Sequence, residues 1–475
     1  MKRQLRVISL AALLAVLTGC AGVNIDQAVD GTNAAAREFT QGKLELSRTE
    51  EQRSARALLS EQLLAKPVTM ADAVQLQLAN SPSLQALIAQ SWADLASANQ
   101  LGRLANPVFS FERSRFGSEL ELQRLLSVGV LDLLTLPYRQ GIARNQVAQA
   151  KTQLSVTVVE QVSQVRQAWV RAVAAKQLLT YAQQINKTAQ ASAELARRMQ
   201  QVGNFTKLQR ARQQVFYADT AAQLASAQHA ETAAREELVR LLGLDDTQAA
   251  RLQLPDRLPD LPSEPRAAID IGASTTQQRL DLQMALLQLE AAGRTQGLRL
   301  LNTVADVELG VRNDTVFQND GTGRRDNRKG YDLAIRLPIF DLGAAQRASM
   351  NAASLAAANR YESVLRSVSS QLRESYSAYR TAYDLARHYR DEIVPLRKTM
   401  AEENVLRYNG MLIGVFELLA DTRDQITSVM AAINAQQQFW LADAGLSSSV
   451  IGRPMSMGAS PMSSSTTGGS EGQGH

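Results

Sequence analysis

The sequence predicts a mainly α-helical chain with a small β part, arranged as a tandem structural repeat of long coiled-coil helices. Three observations carry that expectation. Gly and Pro, the residues that stop helices, are both absent from Ile142 to Val202, from Asn204 to Leu242 and from Val415 to Ala444, while Ala344 to Asn409 contains only Pro395. Within these runs apolar residues recur three and four apart, as in Val158, Val162, Val165 and Trp169, or Val364, Val368 and Leu372. That stripe is what helices bury against one another. Finally, the same order of elements occurs twice, with Gly203 and Gly410 separated by 207 positions and Asp132 and Asp341 by 209, as a duplication would leave them.

The elements follow in order. Residues 1–19 combine Lys2, Arg3 and Arg6 with an apolar run from Val7 to Leu17 and end in Leu17-Thr18-Gly19-Cys20. The run is too short to span a bilayer, and the segment resembles a bacterial lipoprotein signal peptide. That resemblance implies cleavage before Cys20 and a covalent lipid on its thiol. With Ala21 rather than Asp next, it also implies the outer membrane as destination. An ordinary cleaved signal peptide with a buried cysteine is the alternative. Cys20 is the sole cysteine of 475 residues, which excludes an intrachain disulfide. Residues 20–69 form an extension of unclear role that looks partly helical. Residues 70–243 make the first repeat and 274–446 the second, each a helix, two alternating segments and a helical hairpin. The linker 244–273 holds Pro255, Pro259, Pro262 and Pro265. The tail 447–475 becomes low in complexity and rich in Ser and Gly from Gly452, a composition of solvated, disordered chain.

Composition narrows the function. The 51 basic and 46 acidic residues are interleaved and leave a net charge of only +5, which fits solvated helical faces better than a nucleic-acid track. Beyond the signal no stretch reaches 18 uninterrupted apolar residues, so membrane crossing, if it occurs, requires strands. The alternating segments supply candidates. Val307, Leu309 and Val311 alternate with Glu308, Gly310 and Arg312, and Tyr331, Leu333, Ile335 and Leu337 with Asp332, Ala334 and Arg336. In the first repeat Phe109 and Phe111 oppose Ser110 and Glu112, while Leu120, Leu122, Leu126, Val128 and Val130 oppose Glu121, Gln123, Ser127 and Gly129. Arg124 interrupts that apolar face. A soluble hairpin alternates in the same way, but closure sharpens the barrel reading. Lipid offers no partner to an open strand edge, and known barrels begin at about eight strands. Four strands per chain then require oligomers: two chains make a barrel filled by side chains, three make twelve strands around an aqueous lumen.

At this point the chain resembles the TolC-like outer-membrane efflux channel family, from about Met70 to Leu446. The resemblance rests on Ala79-Asn80-Ser81-Pro82-Ser83-Leu84 and Arg279-Leu280-Asp281-Leu282, which open the halves. It rests also on Leu337-Pro338-Ile339-Phe340-Asp341-Leu342-Gly343 with Arg347, and on Arg407-Tyr408-Asn409-Gly410 followed by Glu417-Leu418-Leu419. It implies a homotrimer with a twelve-stranded outer-membrane barrel, a long coiled-coil helical barrel through the periplasm, and an equatorial region built from the termini and linker. The implied role is the passive exit duct of a tripartite pump, exporting small molecules or metal ions, with a periplasmic adaptor and an inner-membrane RND-type transporter as partners. Adaptor contact falls on the tips Val202, Gly203 and Asn204, and Asn409, Gly410 and Met411. The glycines are expected to supply the positive φ of a helix reversal. The family's periplasmic gate carries two carboxylates three residues apart after the second tip. Here Glu417 matches the first, Ala420 occupies the second place, and Asp421 follows, turned by about 100°.

Enzymatic chemistry finds no constellation. His229 and His388 lie in the long helical runs, His475 is the last residue, and none has metal-ligand spacing with Cys20. No P-loop, nucleophile-elbow or zinc-protease motif is present. Met455, Met457, Met462 and His475 could offer soft ligands to Cu(I), but they are scattered through a solvated tail, and no metal site or cofactor beyond the Cys20 lipid is expected. The competing function is a lipid-anchored periplasmic coiled-coil scaffold without channel activity.

Overall fold

The structure, a computed structural model, describes residues 24–117, 119–268, 279–302, 306–318, 325–336 and 343–453. The signal peptide, Cys20, the segment Leu337 to Leu342 and the Met- and His-containing tail lie outside the described residues. Helices dominate, and four antiparallel strands form one sheet, so the fold class read from the sequence is the fold class observed.

Among the described residues three helices come first: α1 (Ile25–Ala35), α2 (Arg37–Thr40) and α3 (Glu50–Leu64). The first repeat contains α4 (Met70–Asn80), α5 (Pro82–Gln100), β1 (Val108–Phe116), β2 (Glu119–Gly129), α6 (Val130–Leu134), α7 (Leu136–Gln201) and α8 (Lys207–Leu242). A short helix α9 (Asp246–Arg251) opens the linker. The second repeat contains α10 (Leu280–Asn302), β3 (Asp306–Gln318), β4 (Arg325–Arg336), α11 (Ala344–His388), a π-turn (Tyr389–Ile393), α12 (Val394–Asn409) and α13 (Val415–Val450).

The duplication is closer than its landmarks suggest. Helix α7 has 66 residues, and α11, the π-turn and α12 contribute 45, 5 and 16 to a run of equal length. Helices α8 and α13 have 36 residues each. Leu136 and Ala344, like Lys207 and Val415, stand 208 positions apart. At 1.5 Å per residue the long arms extend about 100 Å.

Several sequence-level boundaries shift, each for a local reason. The single helix expected to open the first repeat breaks at Ser81, whose side chain caps α5 by accepting from the Leu84 N–H, with Pro82 in the first turn. Val130 leaves the sheet and starts α6. Helix α7 begins before Ile142, because Pro137 sits in its first turn where a missing N–H is harmless. Pro395, by contrast, lies mid-arm, where its ring would strike the carbonyl four residues back. The π-turn widens the helix just there: the Val394 N–H donates to the Tyr389 carbonyl, five residues back.

The core gathers around the middle of α7. Ile25, Ala28, Val29, Phe39 and Leu44 of the extension are buried in one cluster with Leu154, Val158 and Val162. Further along, Val165, Trp169 and Val173 join Leu238 and Leu242 of α8 and Leu252, Leu254 and Leu258 of the linker. The linker then enters a third cluster through Leu261, beside Tyr379, Tyr383 and Phe439. Its prolines leave carbonyls to be met by side chains: Trp440 Nε1 donates to Pro259 O at 3.0 Å, and Tyr383 Oη to Pro262 O at 3.1 Å.

The two motifs that open the halves do equivalent work. Asn80 Nδ2 donates to the Gly243 carbonyl at 2.8 Å, stapling the end of α8. Gly243 has φ of +68°, and a Cβ there would meet Pro82 Cδ at 2.6 Å, so only glycine fits. In the second half Arg279 is fully buried. Its Nη1 donates to the Ser449 carbonyl of α13 at 2.7 Å, while Nε and Nη2 fork onto Asp281 at 3.1 and 2.7 Å. Arg279→Ala strips both the helix end and a carboxylate of their donor. It is expected to cost about 3–5 kcal/mol in urea unfolding of the detergent-solubilised protein. Asn80→Ala removes neutral bonds and is expected to cost about 1–3 kcal/mol.

Candidate channel wall, helical tips and gate

The sheet has order β1-β2-β3-β4, antiparallel throughout, with β1 and β4 as outer edges. Its register aligns Phe109, Leu126, Val311 and Tyr331 in one row across all four strands, and Val128, Leu309 and Leu333 in the next row toward the helices. These residues share one face and are exposed, Tyr331 to 86%. The opposite face carries Ser110, Glu112, Glu121, Gln123, Glu308, Arg312 and Asp332, and Arg312 Nε pairs with Asp314 at 2.6 Å. An uncovered apolar face backed by a charged one is the wrong arrangement for a sheet in water on both sides. It suits a wall between hydrocarbon and an aqueous lumen. Among the described residues no helix is long and apolar enough to cross a membrane.

At the far end of the hairpins the chain reverses twice, with matching hydrogen bonds. In the first tip the N–H groups of Val202, Gly203 and Asn204 donate to Arg198, Gln200 and Met199. In the second, Gly410, Met411 and Leu412 donate to Leu406, Tyr408 and Arg407, each 208 positions on. Gly203 takes φ of +81°, as expected. The expectation fails at Gly410, whose φ is −79°; Met411 takes the left-handed place with φ of +60°. The offset explains the difference: Met411, not Gly410, is the structural equivalent of Gly203. A side chain in this conformation costs about 1–2 kcal/mol, yet Met411 is 93% exposed and Leu412 and Val202 nearly as much. Along the first arm Glu194 accepts from Arg197 and Arg198, and these bonds lower its pKa to about 2, keeping it ionised.

Neither a protein-family model nor a curated relative matches the chain in sequence. Solved structures match over most of its length. The outer membrane protein VceC from Vibrio cholerae superposes with a TM-score of 0.65 at 17% identity, covering 81% of this chain and 96% of that one. The CmeC outer membrane channel of Campylobacter jejuni gives 0.67 at 14% identity, covering 86% and 89%. The MtrE outer membrane channel of Neisseria gonorrhoeae, in its open state, gives 0.63 at 17%, covering 81% and 89%. The chain has the TolC-like outer-membrane channel fold.

Within this TolC-like fold the two carboxylates expected at a gate, Glu417 and Asp421, have different surroundings. Glu417 is exposed in the first turn of α13, where the helix N-terminus favours negative charge. Asp421 is half-buried and accepts from Asn404 Nδ2 of α12, which ties α13 to its own hairpin partner. Arg397 of α12 adds a 3.3 Å pair with Asp424. One contact escaped sequence reasoning. The Arg423 guanidinium lies 4.0 Å from the centroid of the Phe216 ring on α8, joining the return helices of the two repeats. Arg423 and Phe216 are 207 positions apart, and neither belongs to a motif, so no local signal pointed to them.

The tip geometry sets one expectation. Met411→Gly relieves the left-handed strain and should slow hydrogen exchange of the Leu412 amide about tenfold, whereas Gly203→Ala should speed that of Asn204 by a similar factor. Equal exchange in parent and variants would mean that the turns carry no such strain.

Proposed function

We propose that three copies of this chain close their sheets into one twelve-stranded barrel in the outer membrane, continued by a barrel of helices into the periplasm. The observation that carries the reading is the uncovered two-faced sheet with free outer strands, placed opposite the tips of arms about 100 Å long. Lipid requires those edges to be paired, and twelve strands leave a lumen where eight do not. The fold shared with outer-membrane channels supports the same reading.

The homotrimer acts as the passive exit duct of a tripartite efflux pump. A periplasmic adaptor docks on the exposed tips Val202, Gly203, Asn204, Asn409, Gly410 and Met411, and an inner-membrane RND-type transporter supplies energy and selects the small molecules or metal ions exported. Cys20 carries a lipid that tethers each chain. The duct performs no catalysis and needs no other cofactor. Glu417 and Asp421 of the three chains line the periplasmic constriction, where like charges repel and cations are attracted. The bonds from Asn404 to Asp421 and from Arg423 to Phe216 hold α13 in position and therefore bias the constriction's width.

Native mass spectrometry of the mature protein from outer membranes is expected to give a trimer with one lipid mass per chain. A lipidated monomer or dimer without a membrane-embedded core would instead favour the scaffold. In planar bilayers Glu417→Gln should reduce cation preference, and Asn404→Leu combined with Arg423→Leu should change the conductance of the resting channel severalfold. Unaltered selectivity and conductance in both would remove α13 from the gate.

A further inference from the structure

Acidic residues are confined to one face of the sheet, where they mix with Arg312 and Arg328, whereas the other face is free of them. Every acidic residue described in the four strands with a placed side chain, from Glu112 to Asp332, lies on the face opposite the exposed apolar rows. The apolar face carries only basic residues: Arg113, Arg115, Arg124, Arg325 and Lys329. No anion accompanies these five cations on a face that otherwise holds Phe, Leu, Val, Ile and Tyr together with Asn313, Thr315 and Asn327.

Their height is equally selective. The rows nearest the helices hold Val307 and Ile335, then Val128, Leu309 and Leu333, then Phe109, Leu126, Val311 and Tyr331. The next row brings Arg124 and Lys329, then Arg113, then Arg115 and Arg325 at the end away from the helices. Rows are two residues apart, about 7 Å along a strand and about 5 Å in height at the tilt of a membrane barrel. The first cations therefore stand about 15 Å above Val307, and exposed Leu133, Leu134 and Tyr138 of α6 and α7 extend the apolar belt below. A cation at the bilayer midplane costs about 2–4 kcal/mol and near the interface about 0–1. These residues sit where the second figure applies. Arg113, Arg115, Arg325 and Lys329 are exposed, and Arg124 is half-buried with Nη1 donating to Thr315 Oγ1 at 3.5 Å. The Arg325 guanidinium rests 5.7 Å from the Phe317 ring centroid, so part of the cluster is already ordered for a ligand.

We propose that Arg113, Arg115, Arg124, Arg325 and Lys329 form a belt on the lipid-facing wall that binds the phosphate groups of an anionic glycolipid in the outer leaflet. The inference rests on the membrane-barrel reading above. Arginine forks match phosphate oxygens bidentately, their aliphatic stems lie along acyl chains, and the acidic lumen face keeps the same ligand out of the pore.

The test is a lipid titration of the full mature trimer, delipidated by detergent exchange and followed by native mass spectrometry. Bisphosphorylated lipid A is expected to bind at least about tenfold tighter than the same lipid without phosphates, and phosphatidylethanolamine to behave like the latter. R113Q/R115Q/R124Q/R325Q/K329Q should abolish the difference, whereas E112Q/E121Q/D332N on the other face should preserve it. Should the fivefold variant not assemble, R124Q and K329Q separately are each expected to lose about two- to fivefold. Equal binding of the two lipid A forms to parent trimers overturns the proposal. So does binding of inorganic phosphate as tight as that of the lipid, which would make the belt a simple anion site. Absence of a trimer before any lipid is added overturns the channel reading itself, a separate and prior outcome.

Discussion

A strand edge in hydrocarbon has no water to bond to, and that constraint organises the proposed membrane barrel. Each chain contributes four paired strands whose outer members, β1 and β4, have a free edge. No local rearrangement satisfies them, because a four-stranded cylinder is too narrow to hold its own side chains. In the proposed barrel, closure comes from other copies. The long helices below each sheet are then brought side by side, and the helical arms become walls of a tube rather than members of a solid bundle. That role is consistent with cores gathered around the middle of α7, the linker and the adjoining parts of α10, α11 and α13, while Leu396, Leu406, Val215 and Leu208 toward the tips remain exposed in the single chain.

The two halves are equal in length but unequal in stiffness. Helix α7 runs unbroken for 66 residues, while its counterpart is interrupted by the π-turn before Pro395. The second tip is held by a strained Met411 where the first has Gly203. Toward the tips the second hairpin is tied to the first by the Arg423 and Phe216 contact, whereas at mid-length Trp440 and Leu441 of α13 pack on the apolar cluster of α7 and α8. Irregularity and strain thus concentrate in one hairpin of the pair, whereas polar ties between the helices occur in both, as Asn186 with Thr220 and Ser192 with Gln213 show in the first. A π-turn within a helix is a common mark of a hinge, and here it falls in the second arm alone among the described residues.

Much of this was legible in the linear sequence because it depends on short-range rules. Absent Gly and Pro marked the arms, period-two alternation marked the strands, and the order of elements exposed the repeat. What was hidden depends on contacts distant in sequence. The extension from Asn24 to Lys66 has no stripe that announces its partner, yet Ile25, Val29 and Phe39 are buried against α7. The left-handed residue of the second tip could have been found by aligning the halves at 208 positions, but glycine's preference for positive φ pointed to Gly410. Asp421 looked like a shifted copy of a gate carboxylate; its bond to Asn404 gives it a structural tie that spacing alone could not reveal.

Arg124 shows how an apparent exception acquires meaning from register. Read along β2 it interrupts an apolar face and weakens the case for a membrane strand. Read across the sheet it falls in one row with Phe111, Asn313 and Lys329. From that row outward polar and cationic side chains enter every strand, at Arg124, Asn313 and Lys329 first and at Arg113 of β1 one row later, among remaining Leu and Phe. A soluble hairpin has no reason to change character at nearly the same level on four strands, since water meets the whole exposed face alike. A bilayer does, because its dielectric changes within a few ångströms at the interface. The interruption that argued against the wall in one dimension therefore argues for it in two.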